Sequence, residues 1–291
     1  MTPTVSERVG SGRFVSFELW PPRTPDSAAA LEATMDELAT LGPAFVAVTY
    51  GAGGSTRERT HDLVVGMVDS PLLPLAHLTC AAHHRQELVE LMQRYRAAGV
   101  HNLLALHGDP PLSATEDLPE GDLRYAVDLV HLARDLGFPC VGVAVHPEGH
   151  PAAESREADR RHQAAKLREA DFGLTQFFHE GDDYLALVDD LAARGATAPI
   201  IPGVMPITNV RQVERMAAMS GTELPVKLAR RLQAVADQPD EVRRIGVDYA
   251  TSLCQQLLDG GAPGLHFYTM NRAAATLEVC ANLGWETPAA R

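Results

Sequence analysis

Glu18 is the side chain in this sequence best placed to move a proton. It lies in the run Phe14-Val15-Ser16-Phe17-Glu18-Leu19, which alternates in the manner of a β-strand. With a period of two, Glu18 shares a face with Ser16, while Phe17 and Leu19 face the other way. A carboxyl on an inward face is poorly solvated, so its pKa rises and it can give up a proton near neutrality. Other polar residues collect at the ends of similar runs: Thr49-Tyr50-Gly51, His77 with Thr79, and His107-Gly108-Asp109. The series continues with His146-Pro147-Glu148, Thr175-Gln176, and Tyr268 with Asn271 and Arg272. One polar strand end is ordinary loop chemistry. So many meeting on one rim describe a binding site.

The elements that must position these residues alternate along the chain. Strand-like runs cover Phe14–Leu19, Phe45–Thr49, Leu75–Thr79, Leu103–Leu106, Val141–Val145, Leu174–Phe178, Ile200–Val204 and Leu265–Thr269. Between them lie amphipathic helical patterns, such as Ser27–Leu41, Arg85–Ala98, Tyr125–Leu136 and Tyr184–Ala193, each followed closely by glycine. The alternation predicts an α/β fold, a (β/α)8 TIM barrel occupying residues 1–291 as one catalytic domain. A doubly wound sheet needs fewer strands. Between strands seven and eight, Val210–Met219, Val226–Ala236 and Glu241–Leu258 read as extra helices. In such a barrel the active site lies at the C-terminal ends of the strands, where the polar residues fall.

Composition narrows the function classes. The 291 residues are 45% hydrophobic and 22% charged, enough for a large core. The formal net charge of −13 opposes a phosphate backbone, so no nucleic-acid partner is expected. No apolar run is long enough to span a membrane, and no secretory signal is evident; the expected compartment is the cytoplasm. Cys80, Cys140, Cys254 and Cys280 form no CxxC pair and read as buried hydrophobes. His146-Pro-Glu-Gly-His150 imitates a metal motif, but Pro147 and Gly149 oppose the helix that paired ligands need, so no metal is expected. Gly51-Ala-Gly53-Gly54-Ser55 could cradle a phosphate, yet it does not match GxGxxG. His83, His84 and His131 read as surface residues. No lysine stands at a strand end for Schiff-base chemistry, which argues against an aldolase. The sequence leaves oligomeric state open.

Taken in order, several blocks resemble the methylenetetrahydrofolate reductase family over nearly the whole chain. They are Phe17-Glu18-Leu19-Trp20-Pro21-Pro22-Arg23-Thr24, Val48-Thr49-Tyr50-Gly51-Ala52, His77-Leu78-Thr79-Cys80 and Leu104-Ala105-Leu106-His107-Gly108-Asp109. Further on stand His146-Pro147-Glu148, Thr175-Gln176-Phe177-Phe178, Ile201-Pro202-Gly203-Val204-Met205-Pro206 and His266-Phe267-Tyr268-Thr269-Met270-Asn271-Arg272. The resemblance implies a (β/α)8 barrel and reduction of 5,10-methylenetetrahydrofolate to 5-methyltetrahydrofolate, with NADH or NADPH as the electron source. It implies Glu18 as general acid, Asp109 as a pterin-recognising and charge-stabilising carboxylate, and Gln176 on the pterin edge. Arg272 is assigned to the folate side or the rim, and Thr49 lies near the hydride donor. The anionic glutamate tail of folate calls for a basic rim residue.

Most of the family carries FAD, and by resemblance His77, His150, Asp159 and Lys166 match flavin-contacting positions. The departures are His107 for the usual Arg, His146 for Tyr and His162 for Asn. Trp20 is bulkier than the usual Phe at the mouth, and Met216 replaces a phenylalanine. A histidine is mostly neutral where the arginine fork is always charged. The resemblance with these departures favours a flavin-free enzyme passing hydride directly from NAD(P)H in a ternary complex. The competing readings are the same reaction through bound FAD, and a folate-binding paralogue without catalysis.

Overall fold

The structure is a computed structural model, and it describes residues 3–50, 57–108 and 121–285. Eight parallel strands close on themselves in sequence order. They are β1 (Phe14–Leu19), β2 (Val46–Val48), β3 (Pro74–Thr79), β4 (Asn102–Leu106), β5 (Cys140–Val145), β6 (Phe172–Phe177), β7 (Ile200–Val204) and β8 (Gly264–Tyr268). The strands that alternation predicts are all present. Closure pairs β1 with β8, setting Ser16 beside His266 and Glu18 beside Tyr268.

The helices are α1 (Val5–Val9), α2 (Pro25–Ala39), α3 (Arg57–Val68), α4 (Arg85–Ala97), α5 (Ala126–Asp135), α6 (Arg156–Glu169) and α7 (Gly181–Ala193). After β7 come α8 (Val210–Ser220), α9 (Val226–Gln233) and α10 (Pro239–Asp259), and α11 (Ala274–Asn282) follows β8. Local chemistry starts them. Thr24 caps α2 through the Ser27 N–H, with Pro25 opening the first turn, where its missing N–H is harmless. The three helices expected between strands seven and eight are there, although α10 begins at Pro239, ahead of the expected Glu241.

One apolar layer lies between the strands and the helix ring, with Val15, Phe17 and Leu19 of β1 in it. A second fills the barrel floor with Phe14, Phe45, Leu75, Leu104, Phe172 and Leu174. The helix α1, which periodicity did not predict because it is five residues long, closes this floor from below with Val5 and Val9. A capping box starts it: Thr4 Oγ1 accepts the Glu7 N–H, and the Glu7 carboxylate accepts the Thr4 N–H. The Val5 N–H then donates to Asn102 Oδ1 of β4 at 2.8 Å, in buried surroundings. All four cysteines are buried, as expected.

His83 departs from the expected surface position. It is buried, its ring 5.8 Å from that of Tyr50, because the chain turns before α4 and carries it under the strand ends. His84 and His131 are exposed. No described helix is long and apolar enough to cross a membrane.

Gly246 fixes the distance between α10 and the segment after β7. A Cβ there would stand 1.8 Å from the Ile207 carbonyl oxygen, so only glycine permits this approach. Gly246→Ala, ordinarily favoured inside a helix, is expected instead to destabilise by about 1–3 kcal/mol, read as a lower midpoint in thermal denaturation.

Candidate active site

Glu18 ends the polar face of β1 and is 8% exposed. Burial pushes its carboxyl up to about 8, opposed by a hydrogen bond with the Trp20 side chain. Its ionisable neighbour is not an arginine but His77 of β3, whose Nε2 lies 3.8 Å from Glu18 Oε2. His77 is 6% exposed, and burial pushes its imidazole down to about 3. Near neutral pH both groups are therefore uncharged, and the contact is not an ion pair. His266 completes the layer below. Burial, with a smaller contribution from His77, pushes it down to about 3, and its Nδ1 is 2.9 Å from Ser16 Oγ. The His266 ring stacks on Phe45 at 5.7 Å and meets Tyr268 edge-on at 5.3 Å. A chain of aromatic rings thus joins the apolar floor to the mouth.

The end of β1 is held from β8. Thr269 Oγ1 donates to the Glu18 carbonyl at 2.8 Å. Asn271 bridges the Trp20 backbone, accepting its N–H at 2.8 Å and donating to its carbonyl at 2.9 Å. Met270 and Asn271 both have positive φ, 54° and 57°. Asparagine tolerates that conformation, and its short amide reaches Trp20 from there. Trp20 itself is 38% exposed at the rim.

Gln176 rides on an irregularity in β6. Leu174 pairs with Ile201, but Phe177 then pairs with Gly203, so β6 holds one extra residue. Thr175 Oγ1 accepts the Gly203 N–H at 2.8 Å, and the Tyr268 hydroxyl donates to the Thr175 carbonyl at 2.6 Å. The Phe177 N–H donates to Gln176 Oε1 at 3.0 Å.

Beside Tyr268 opens a cleft of about 340 Å³. It lies between the segment after β7 and the first turns of α8, α10 and α11, and Arg272 and Arg243 line it. Arg243 is paired with Glu278, while Arg272 is exposed. Glu18 does not line this cleft. Tyr268 and Thr269 do, and both adjoin Glu18.

The remaining expected residues that the structure describes lie along the β2, β4 and β5 side of the rim. Thr49 is half-buried at the end of β2, with its N–H on the Leu19 carbonyl at 3.0 Å. His107 is exposed at the end of β4. Asp109 and the Gly51–Ser55 loop lie outside the described residues. His146 and His150 meet edge-on at 4.8 Å, and burial first, then the charge of Lys166, pushes His146 down to about 3. Lys166 is itself pushed down to about 8 by burial, against the pull of Asp159. His162 is exposed and stacks on Tyr125 at 6.4 Å, and Arg124 covers the Tyr125 ring at 5.2 Å.

Helix α6 supplies residues that sequence reasoning missed. Arg160 donates to the carbonyls of His146 at 2.8 Å and Pro147 at 2.6 Å, and Gln163 Oε1 accepts the His146 N–H at 2.7 Å. They hold the end of β5 and the histidine pair it carries. Their i, i+3 spacing marks one helix face, but an arginine in a charged helix reads as solvated. Among the described residues no group of three or more His, Cys, Asp or Glu could hold a metal ion.

A sequence profile of methylenetetrahydrofolate reductase matches residues 6–284. The 5,10-methylenetetrahydrofolate reductase of Pectobacterium carotovorum subsp. carotovorum is 35% identical over 279 residues, covering 95% of this chain and 92% of that protein. The Escherichia coli enzyme of the same name is 35% identical over 273 residues, covering 93% of this chain and 90% of its own. Methylenetetrahydrofolate reductase (NADH) 1 of Arabidopsis thaliana is 34% identical over 283 residues, 92% of this chain but 48% of the plant protein. Among solved structures, a protein of Clostridium thermocellum that binds two copies of 5-methyl-5,6,7,8-tetrahydrofolic acid superposes with a TM-score of 0.65 at 13% identity. That superposition covers 96% of this chain and 95% of the other, and supports the barrel fold. The profile match and the identity to the bacterial enzymes place the chain in the methylenetetrahydrofolate reductase family.

Proposed function

We propose that this protein reduces 5,10-methylenetetrahydrofolate to 5-methyltetrahydrofolate, taking hydride directly from NADH or NADPH, with Glu18 as the general acid. The observation that carries the reading is Glu18 itself: buried at a barrel mouth, proton-bearing near neutral pH, and without a cationic partner among the described residues. The substrate's methylene group bridges two nitrogens. Glu18 protonates the departing amine, the bridge opens to an iminium, and hydride from the reduced nicotinamide completes the methyl group. Gln176 holds the pterin edge, and the resemblance gives Asp109 the role of stabilising the cationic iminium. The cleft beside Tyr268 takes the rest of the folate, with Arg272 meeting its anionic tail. The NADH in the name of the Arabidopsis relative supports a nicotinamide donor.

The residues opposite the cleft fit a permanently held FAD poorly. When bound, a flavin would relay the two electrons. On this side of the rim the Tyr125 ring is already engaged, with His162 stacked on it and Arg124 over it. His107 also lacks the arginine's charged fork for a diphosphate. Lys166 and Asp159 remain to serve a dinucleotide that comes and goes. A purified preparation is expected to lack flavin absorption bands and to turn over without added FAD; a yellow protein, or one dependent on FAD, would overturn direct transfer.

Glu18→Gln tests the acid. Steady-state NADH oxidation dependent on methylenetetrahydrofolate should fall by about 10²–10⁴-fold. In the unaltered enzyme the rate should decline as pH rises through about 8, as the acid loses its proton. The same variant has a stability signature. A carboxyl whose folded value is about 8 and whose ordinary value is 4.5 favours the unfolded chain increasingly across that window. The thermal midpoint of Glu18→Gln should therefore gain on that of the parent as pH rises from 4.5 to 8. A variant as active as its parent would remove Glu18 as the acid, and a parent without this NADH oxidation would leave the protein a folate binder at most.

A further inference from the structure

Tyr268 has a place in the geometry that the proton chemistry does not use. Its ring covers Gly203, where a Cβ would stand 2.5 Å from Tyr268 Cε2 and 2.7 Å from the Thr175 carbonyl. Its hydroxyl donates to that same carbonyl at 2.6 Å. The carbonyl belongs to the irregular stretch of β6 where the ladder gains its extra residue, and Gln176 follows immediately. The Gly203 N–H is drawn to Thr175 Oγ1 at 2.8 Å, so β7 grips the bulge from one side and Tyr268 from the other. A bulge re-aims the side chain it carries, and here the result is legible. Gln176 Oε1 is occupied by the Phe177 N–H at 3.0 Å. That contact fixes which end of the amide is which, because an N–H requires the oxygen. The NH2 end is left for a ligand, as a donor suited to the carbonyl edge of a pterin.

We propose that the Tyr268 hydroxyl is a positioning group for Gln176: by holding the Thr175 carbonyl it sets the bulge that aims the Gln176 amide at the folate. This rests on the folate-reductase reading above and adds to it a residue that acts through another. Tyr268 and Glu18 are lateral neighbours across the closing seam, so one side chain links the acid to the pterin grip.

The test is a double-mutant cycle on binding, using 5-methyltetrahydrofolate as the probe in calorimetric titration. Tyr268→Phe keeps the ring over Gly203 and removes only the hydroxyl. It is expected to weaken binding roughly three- to tenfold, as for a lost hydrogen bond with a stranded carbonyl. Gln176→Ala should weaken it at least as much, and the double variant should bind no more weakly than Gln176→Ala alone. In steady-state turnover the loss in Tyr268→Phe should appear mainly as a raised KM for the folate rather than as a lowered kcat. Additive losses would mean that Tyr268 touches the ligand itself and would overturn the proposal. A lower thermal midpoint with unchanged affinity in Tyr268→Phe would also overturn it, as a purely structural role. If neither single variant weakens binding, both the clamp and the assignment of Gln176 fall. If the parent protein does not bind 5-methyltetrahydrofolate, the functional reading itself fails.

Discussion

A carboxyl kept out of water, with no cation beside it among the described residues, is the constraint on which this site turns. A lysine or arginine at hydrogen-bond range would stabilise the anion and return Glu18 to the ordinary acidic range. The barrel instead surrounds it with groups that stay neutral. His77 and His266 are too dry to take a proton, and Tyr268 is driven well above its usual value by the same burial. Dryness in turn depends on filling. Phe45 and Phe172 occupy the floor, α1 seals it, and at the top the Trp20 side chain hydrogen-bonds Glu18 while Asn271 holds the Trp20 backbone. A buried proton is thus a property of the whole cylinder rather than of one residue.

The two sides of the rim are built differently. On the β7 and β8 side a cleft is walled by the first turns of three helices, and its shape depends on close backbone approach at Gly246 and Gly203. On the β5 side the rim is crowded with side chains that already engage one another, His146 with His150 and Tyr125 with His162. Arg160 is spent on backbone carbonyls rather than facing a ligand. This asymmetry suits a reactant gripped along its length on one side and a partner that visits on the other.

Much of this was legible in the residues. The period-two pattern of β1 assigned Glu18 to the interior, because alternation is a direct consequence of strand geometry. Eight strands followed from alternation with helices, since each buried parallel strand needs its own apolar run. What escaped detection was local or relational. Helix α1 is too short to show a period. The β6 bulge leaves no composition signal, because it is a shift in pairing rather than in residue type. His83 was misplaced because a histidine near a helix start reads as solvated until the fold lays it against Tyr50. Tyr268 stood in a recognised block, yet its tie to Thr175 spans 93 residues and exists only once the barrel closes.

The seal at the barrel floor also orders events in time. Val5 precedes its partner Asn102 by 97 positions, so a nascent chain must hold α1 in waiting until β4 has left the ribosome. Five residues are too few to hold a helix alone, so the capping box can fix α1 only once the floor is there to receive it. Helix α1 therefore sets only when the strands it plugs have gathered around it.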